Sequence, residues 1–371
     1  MTDPVSTPSK KNLRSRLLGE LHWVAPPWAV AGAAAADEFA GSLSAEDALV
    51  KSRNVPAVWV ASQLHSPSLY DFLRSAGVSG LSGESHYGLA LVLGGAELTL
   101  PELVELYAML ANQGVLRKLR FTKDEEPEEG RPLLTPGASF MVLDSLAKAP
   151  RPAQGFQPGW VQDPVPVSWK TGTSTGHRDA WTLGVVGPYV VGVWVGNFDG
   201  TPNPLFVGRE AAAPLFFELV DALRGADPGV ARWNRTPPPS LSRISVCAVS
   251  GQLPGPHCTH QVPTWFLPGT SPIRPCDIHR EVLIDTRTNR RACGLSAYTR
   301  TEVYEFWPSD LLSLFRRAGI PRRVPPKLAE GCSLMAAPWR VWRSTSPRRR
   351  RAWTMTSGQG RVRVPQCCSR R

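Results

Sequence analysis

Residues 167–174 read Val-Ser-Trp-Lys-Thr-Gly-Thr-Ser, and this stretch constrains the fold more than any other segment of the chain. Val165, Val167 and Trp169 alternate with polar or turn residues, which is the period of a half-buried strand. Thr173-Ser174-Thr175-Gly176 then supplies turn chemistry. Two apolar, β-rich runs follow, Ala180 to Val186 and Tyr189 to Val195, separated by Gly187-Pro188, so the reading is a strand followed by a hairpin. Three antiparallel strands must bury their apolar faces, and the helical patterns elsewhere are the partners available. The expected class is α+β, an antiparallel sheet flanked by helices.

Those helical patterns are marked by their caps. Ser44 precedes Ala45-Glu46-Asp47, an N-cap followed by acids in the first turn. Ser66-Pro67 reads as an N-cap and a first-turn proline for a helix carrying Leu69, Phe72, Leu73 and Ala76 to a stop at Gly77. Thr99 caps another, with Pro101 and Glu102 in its first turn, Leu103, Leu106, Tyr107 and Leu110 inward, and Gly114 as the stop. Phe140, Val142, Leu143 and Leu146 recur at helical spacing before Pro150. Gly94-Gly95 has neither the spacing nor the lysine of a phosphate loop and reads as a tight turn. The run from Lys123 to Glu129 reads as a solvated loop.

Lys170-Thr171-Gly172 on an edge strand and Ser52-Arg53-Asn54 upstream of it are two of the three motifs by which penicillin-binding proteins and serine β-lactamases place an acyl-serine site. The words around them agree in order: Ser44-Ala45-Glu46-Asp47-Ala48-Leu49, His86-Tyr87-Gly88-Leu89-Ala90-Leu91, Arg178-Asp179-Ala180-Trp181, Val246-Cys247-Ala248-Val249-Ser250-Gly251 and Tyr304-Glu305-Phe306-Trp307-Pro308. Over residues 39 to 332 the chain resembles the class A penicillin-binding proteins. The resemblance implies the transpeptidase fold of that family in incomplete form over 39–232. A Pro/Cys-rich appended region follows at 233–332, and the segments 1–38 and 333–371 are unmatched.

By the same resemblance, Lys170 and Ser52 hold the charge and proton network beside a nucleophile, and Asn54 orients the substrate amide. Thr171 and Thr173 bind the carboxylate of a peptide or β-lactam across Gly172, and the Thr173 backbone N–H forms half of an oxyanion hole. The implied partners are the peptidoglycan stem peptide and β-lactams, with no cofactor and no metal at the site. The implied location is the periplasmic face of the inner membrane.

The third motif, Ser-x-x-Lys, is not found in residues 1–38. The nearest approach, Ser6-Thr7-Pro8-Ser9-Lys10, lacks a serine three residues before a lysine, the spacing that puts both on one helix face. Ser145-Leu146-Ala147-Lys148 fits formally but lies after Ser52, and it reads as a surface turn at the end of a helix. An acyl-transfer site without its nucleophile loses most of its rate. The sequence therefore leaves two readings open: a transpeptidase-family chain that binds peptide and penicillin, or a catalytically dead remnant. Loss of the helix that carries the nucleophile is expected to expose apolar surface on the Thr99 helix and the Lys170 strand.

Charge does not redirect this reading. The net charge is +11, but Pro338 to Arg371 carries ten arginines with no lysine or acid, which leaves about +1 for the rest. That tail has no amphipathic period. It is expected, with residues 1–38, to reflect a shifted reading frame rather than a nucleic-acid site, a genuine basic tail being the alternative. The apolar run from Val24 to Ala36 is too short for a membrane anchor and is interrupted as a signal peptide.

Five cysteines lie between Asn234 and Cys332. Two disulfides among Cys247, Cys258, Cys276 and Cys293 are the favoured reading, as in an oxidising compartment. Zinc ligation with His257 or His279 and free thiols are the alternatives, since ten residues separate Cys247 from Cys258 where zinc modules usually have close pairs.

Overall fold

A computed structural model of the chain describes residues 30–33, 39–64, 66–152, 160–161, 166–230, 235–271 and 273–332. Val165, the Ser6–Lys10 segment, Cys367, Cys368 and the arginine tail lie outside these residues. The first elements are β1 (Val30–Ala33) and β2 (Phe39–Leu43), which pair antiparallel.

Helix α1 (Ala45–Val50) starts where its cap directs, with the Ser44 hydroxyl accepting from the Asp47 amide at 3.0 Å. Helix α2 (Asn54–Gln63) follows after three residues. Helix α3 (Leu69–Ala76) is capped by Ser68, not Ser66: Ser68 and Asp71 form a reciprocal capping box, and the Ser66-Pro67 bond before it is cis. Ser66 and Ser68 are both cap-type residues, two positions apart. The one whose acid sits at N3 satisfies two backbone donors instead of one. Gly77 ends the helix at φ +78, as its position suggested.

Next come α4 (Glu84–Tyr87) and a 3₁₀ turn over Gly88–Leu93 that closes on Gly94. Helix α5 (Leu100–Ala111) has the Thr99–Glu102 capping box and ends at Asn112, short of Gly114. Its most buried residues are Glu105 and Met109, and of the four expected to face inward Leu106 and Leu110 pack half-buried against the cluster of Ala76, Met109 and Leu116. Glu105 accepts from Lys118 Nζ at 2.8 Å and from the Leu119 amide at 3.0 Å, so the loop beyond β3 folds over it. Strands β3 (Val115–Leu116) and β4 (Arg131–Pro132) pair and bracket the exposed acidic loop. Helix α6 (Pro136–Leu146) then buries Phe140, Leu143 and Leu146.

After the short pair β5 (Arg151–Pro152) and β6 (Trp160–Val161) comes the expected meander: β7 (Ser168–Thr173), β8 (Asp179–Val186) and β9 (Tyr189–Gly196). They form one antiparallel sheet in the order β7-β8-β9, with Lys170 opposite Leu183 and Thr171 opposite Thr182. One face is covered by α7 (Ala213–Ala226), whose Phe216, Phe217 and Val220 pack on Val167, Trp169, Ala180 and Val193. The other face meets α5 and α6. A Cβ on Gly192 would lie 2.8 Å from Leu100 Cδ1, and the Ser168 hydroxyl donates to Leu143 O at 2.7 Å. The class is α+β.

The C-terminal region is built differently. Strands β10 (Ser242–Cys247) and β11 (Gln261–Phe266) form one hairpin, β12 (His279–Asp285) and β13 (Thr299–Glu305) another, and α8 (Ser309–Arg317) closes it. It docks on the sheet region through Trp265, which stacks edge-on against Phe140 and donates to Asp144 Oδ2 at 3.0 Å. The disulfide expectation is corrected here. Cys293 pairs with Cys332 across 39 residues, while Cys247, Cys258 and Cys276 remain unpaired. The exposed apolar surface is also placed differently from the expectation. The most exposed large apolar side chains are Phe198, Leu295, Phe121 and Leu205, with Val60 on α2 and Leu89 and Leu93 in the 3₁₀ turn less so, and α5 and β7 carry none among the described residues. Among the described residues no helix is long and apolar enough to cross a membrane.

Candidate active site

The site is made by one turn and one strand. At the end of α1 the amide of Ser52 donates to Leu49 O (3.1 Å) and that of Arg53 to Ala48 O (2.9 Å). This is the paired-bond helix terminus in which the residue after the cap adopts a left-handed conformation. Glycine normally occupies that position; here it is Ser52, at φ +52. A side chain there costs on the order of 1 kcal/mol relative to glycine. That cost is tolerated where the side chain has work to do.

Its partner is Lys170. The Lys170 ammonium donates to the Ser52 hydroxyl and, at 3.0 Å, to Thr171 O, joining positions 118 residues apart. Burial between the sheet and its neighbours pushes the Lys170 amine down to about 8, because a desolvated ammonium is disfavoured. A lysine near that value gains and loses its proton close to neutral pH, beside a hydroxyl able to pass it on. Asn54, the first residue of α2, is exposed, and its amide has no protein partner among the described residues.

Beyond Lys170 the strand is held from behind. The Thr173 hydroxyl accepts from the Gly208 amide at 3.0 Å, and Thr182 Oγ1 donates to Gly208 O at 3.3 Å. A Cβ on Gly208 would sit 2.3 Å from Gly172 O, so only glycine lets the Gly208–Ala212 turn lie against the strand. Nothing in the sequence flagged Gly208, since its role is a close approach between segments 35 residues apart. The turn after Thr173 is closed by Ser174 and Asp179: the Ser174 amide donates to Asp179 O (3.0 Å) and the Asp179 amide to Ser174 Oγ (2.8 Å). Strand β7 has no partner on its outer edge among the described residues. An extended ligand therefore has a free strand edge beside Lys170.

Ser145 and Lys148 do not join this cluster. Ser145 donates to Met141 O within its own helix at 2.9 Å, and Lys148 pairs with Glu46 and Asp144.

Known proteins resemble the chain over both of its regions. The family model for the penicillin binding protein transpeptidase domain matches residues 23–201, and that for the penicillin-binding protein 1A C-terminal domain matches residues 237–281. Penicillin-binding protein 1C of Escherichia coli is 34% identical over 302 residues, covering 78% of this chain and 38% of that protein. The chain belongs to the class A penicillin-binding proteins.

Penicillin-binding protein 1A of Clostridium tetani is 25% identical over 265 residues, covering 65% of this chain and 33% of the relative. The crystal structure of penicillin-binding protein 1A from Haemophilus influenzae shares the fold, with a TM-score of 0.52 at 20% identity over 64% of this chain and 42% of that one. The chain thus spans well under half the length of the relatives it matches. The transpeptidase match begins at residue 23, ahead of the boundary at 39 read from the sequence. The Ser52, Asn54 and Lys170 side chains come from the two motifs read in the sequence, and the structure joins Ser52 to Lys170 directly.

Proposed function

We propose that this chain carries the substrate-binding wall of a peptidoglycan transpeptidase. It receives D-alanyl-D-alanine stem peptides, and the β-lactams that mimic them, along the free edge of β7. The observation that carries the reading is the Lys170–Ser52 hydrogen bond. It supports a proton and charge relay at one end of the groove. Lys170 holds a proton that it exchanges near neutral pH, and the Ser52 hydroxyl stands where that proton is delivered. Asn54 presents donor and acceptor to the peptide amide of the ligand. The Thr173 hydroxyl accepts from Gly208 and keeps its own proton for the ligand carboxylate, with Thr171 beside it. The Thr173 backbone N–H donates to the carbonyl oxygen of the bound ligand.

The attacking serine of the Ser-x-x-Lys motif has no match ahead of Ser52 in this sequence. The proposal is therefore a binding function with no acyl-enzyme formed on this chain. A fluorescent penicillin tests it in two readouts. Equilibrium anisotropy should show saturable binding to the whole chain, weakened at least about tenfold by Lys170→Ala, the loss of one charge-assisted contact. Denaturing gels should show no labelled band. A covalent band removed by one serine substitution would overturn the noncovalent reading, and no binding at millimolar ligand would overturn the peptide groove.

A further inference from the structure

Three thiols and one imidazole converge where β10, β11 and β12 meet. The ligand atoms of Cys247, Cys258, Cys276 and His279 all lie within 4.8 Å of one another. Each of the three Sγ atoms stands 3.5 Å from the same His279 Nδ1. One imidazole nitrogen makes one hydrogen bond at a time, so three equal approaches to it are not a hydrogen-bond pattern. They are the edges of a tetrahedron. With metal–sulfur bonds of ~2.3 Å and metal–nitrogen bonds of ~2.0–2.1 Å at the tetrahedral angle, sulfur and nitrogen stand roughly 3.5–3.6 Å apart.

We infer that Cys247, Cys258, Cys276 and His279 form a structural zinc site that ties the two C-terminal hairpins together. All four positions are filled by protein, which closes the site to a reacting water and assigns it to stability. Soft thiolates with one imidazole select zinc over oxygen-preferring cations. The surroundings are built to hold sulfur ligands. The Gly255 amide donates to Cys258 Sγ at 3.3 Å, and the Ser250 hydroxyl donates to Cys276 Sγ at 3.1 Å. Cys247 is fully buried, and the other three ligands are half-buried.

Strand pairing explains why spacing concealed the site. Cys247 ends β10 opposite Gln261, the first residue of β11, and Cys258 lies just before that strand. The hairpin closes a gap that the chain leaves open. His279 is the first residue of β12 and Cys276 lies in the segment leading into it, which is tied to the loop between β10 and β11: Leu253 N–H donates to Arg274 O and Cys276 N–H to Leu253 O. An isolated two-stranded hairpin is marginal in water, so a shared ion between two of them has a clear energetic role.

The test uses the whole chain purified without added metal or added reductant. Mass spectrometry should find about one zinc per chain, and Cys247, Cys258 and Cys276 should resist alkylation until a chelator is added. Exchange for cobalt(II) should give the intense visible bands of a tetrahedral thiolate site. His279→Cys should keep the metal and strengthen the sulfur-to-cobalt charge transfer, whereas Ser250→Ala should keep the spectrum and weaken affinity by about 10-fold or more. A folded protein with no zinc and freely alkylated thiols would overturn the inference. So would a disulfide mapped between any two of the three cysteines. Unchanged charge transfer in a metal-bound His279→Cys protein would remove His279 from the ligand set.

Discussion

The sheet that carries Lys170 and the region that carries the cysteines are both antiparallel β-structure, yet they are held by different forces. Strands β7, β8 and β9 bury Val167, Trp169, Ala180, Val186 and Val193 against Phe216, Phe217 and Val220 of α7, all between 0 and 6% exposed. The hairpins β10–β11 and β12–β13 stay two-stranded, and the apolar cluster beside them holds four buried residues, Ile278, Trp307, Leu311 and Phe315. That cluster is supplemented by the Cys293–Cys332 disulfide and, on our inference, by the metal. Where hairpins cannot stack enough apolar area, covalent and coordinate links take over the task. The active-site strand needs the first kind of support, because a lysine must be half-buried in rigid surroundings for its proton affinity to fall.

Five experiments sharpen or break this contrast. Phe216→Ala should cost about 3–5 kcal/mol in chemical denaturation, and hydrogen exchange should show protection lost in β7–β9 while β12 keeps it. Replacing Cys293 and Cys332 together by alanine opens a loop of 39 residues and should cost about 2–4 kcal/mol, with the loss now confined to β12, β13 and α8. Equal loss of protection in both regions, in either variant, would mean that they unfold as one unit.

Gly208→Ala should cost about 1–3 kcal/mol, since the new methyl meets backbone rather than a movable side chain. It should also weaken penicillin binding by displacing Gly172 and Thr173. Ser52→Gly should move in the opposite direction, adding roughly 0.5–1 kcal/mol as the left-handed position receives its preferred residue, while ligand binding falls. A Ser52→Gly protein that is less stable than the parent would contradict the strain argument.

The smallest effect concerns pH. The Lys170 amine is pushed down to about 8 from an ordinary 10.5, so the unfolded chain binds more protons between those values and stability rises with pH across that window. Lys170→Met removes the penalty at neutral pH. The variant should be the more stable protein at pH 7, and its advantage should shrink as pH climbs from 8 to 10.5. A constant difference across that range would show that Lys170 is not desolvated.

Much of this was legible in the chain. Ser44, Thr99 with Glu102 and Gly77 announced helix ends because caps act within four residues, and the β7–β8–β9 meander showed in period and turn residues alone. Ser52, Asn54 and Lys170 were legible as motif words. The misreadings all involve choices between local options or contacts between distant segments. Ser68 outcompeted Ser66 because Asp71 completes its box; Glu105 turned inward because Lys118 and the Leu119 amide were waiting for it; Cys293 chose Cys332 because β12, β13 and the closing loop brought them together.

The sequence by itself determined which segments become helix and strand and which side chains carry the Ser-x-Asn and Lys-Thr-Gly motifs, since both depend on neighbours along the chain. The tertiary structure alone decided that Lys170 loses water and reaches Ser52, that Gly208 must be glycine, and that three cysteines and a histidine face a common centre. The Cys247–His279 approach joins residues 32 positions apart and the Lys170–Ser52 contact residues 118 apart, and such distances exist only once the core has closed.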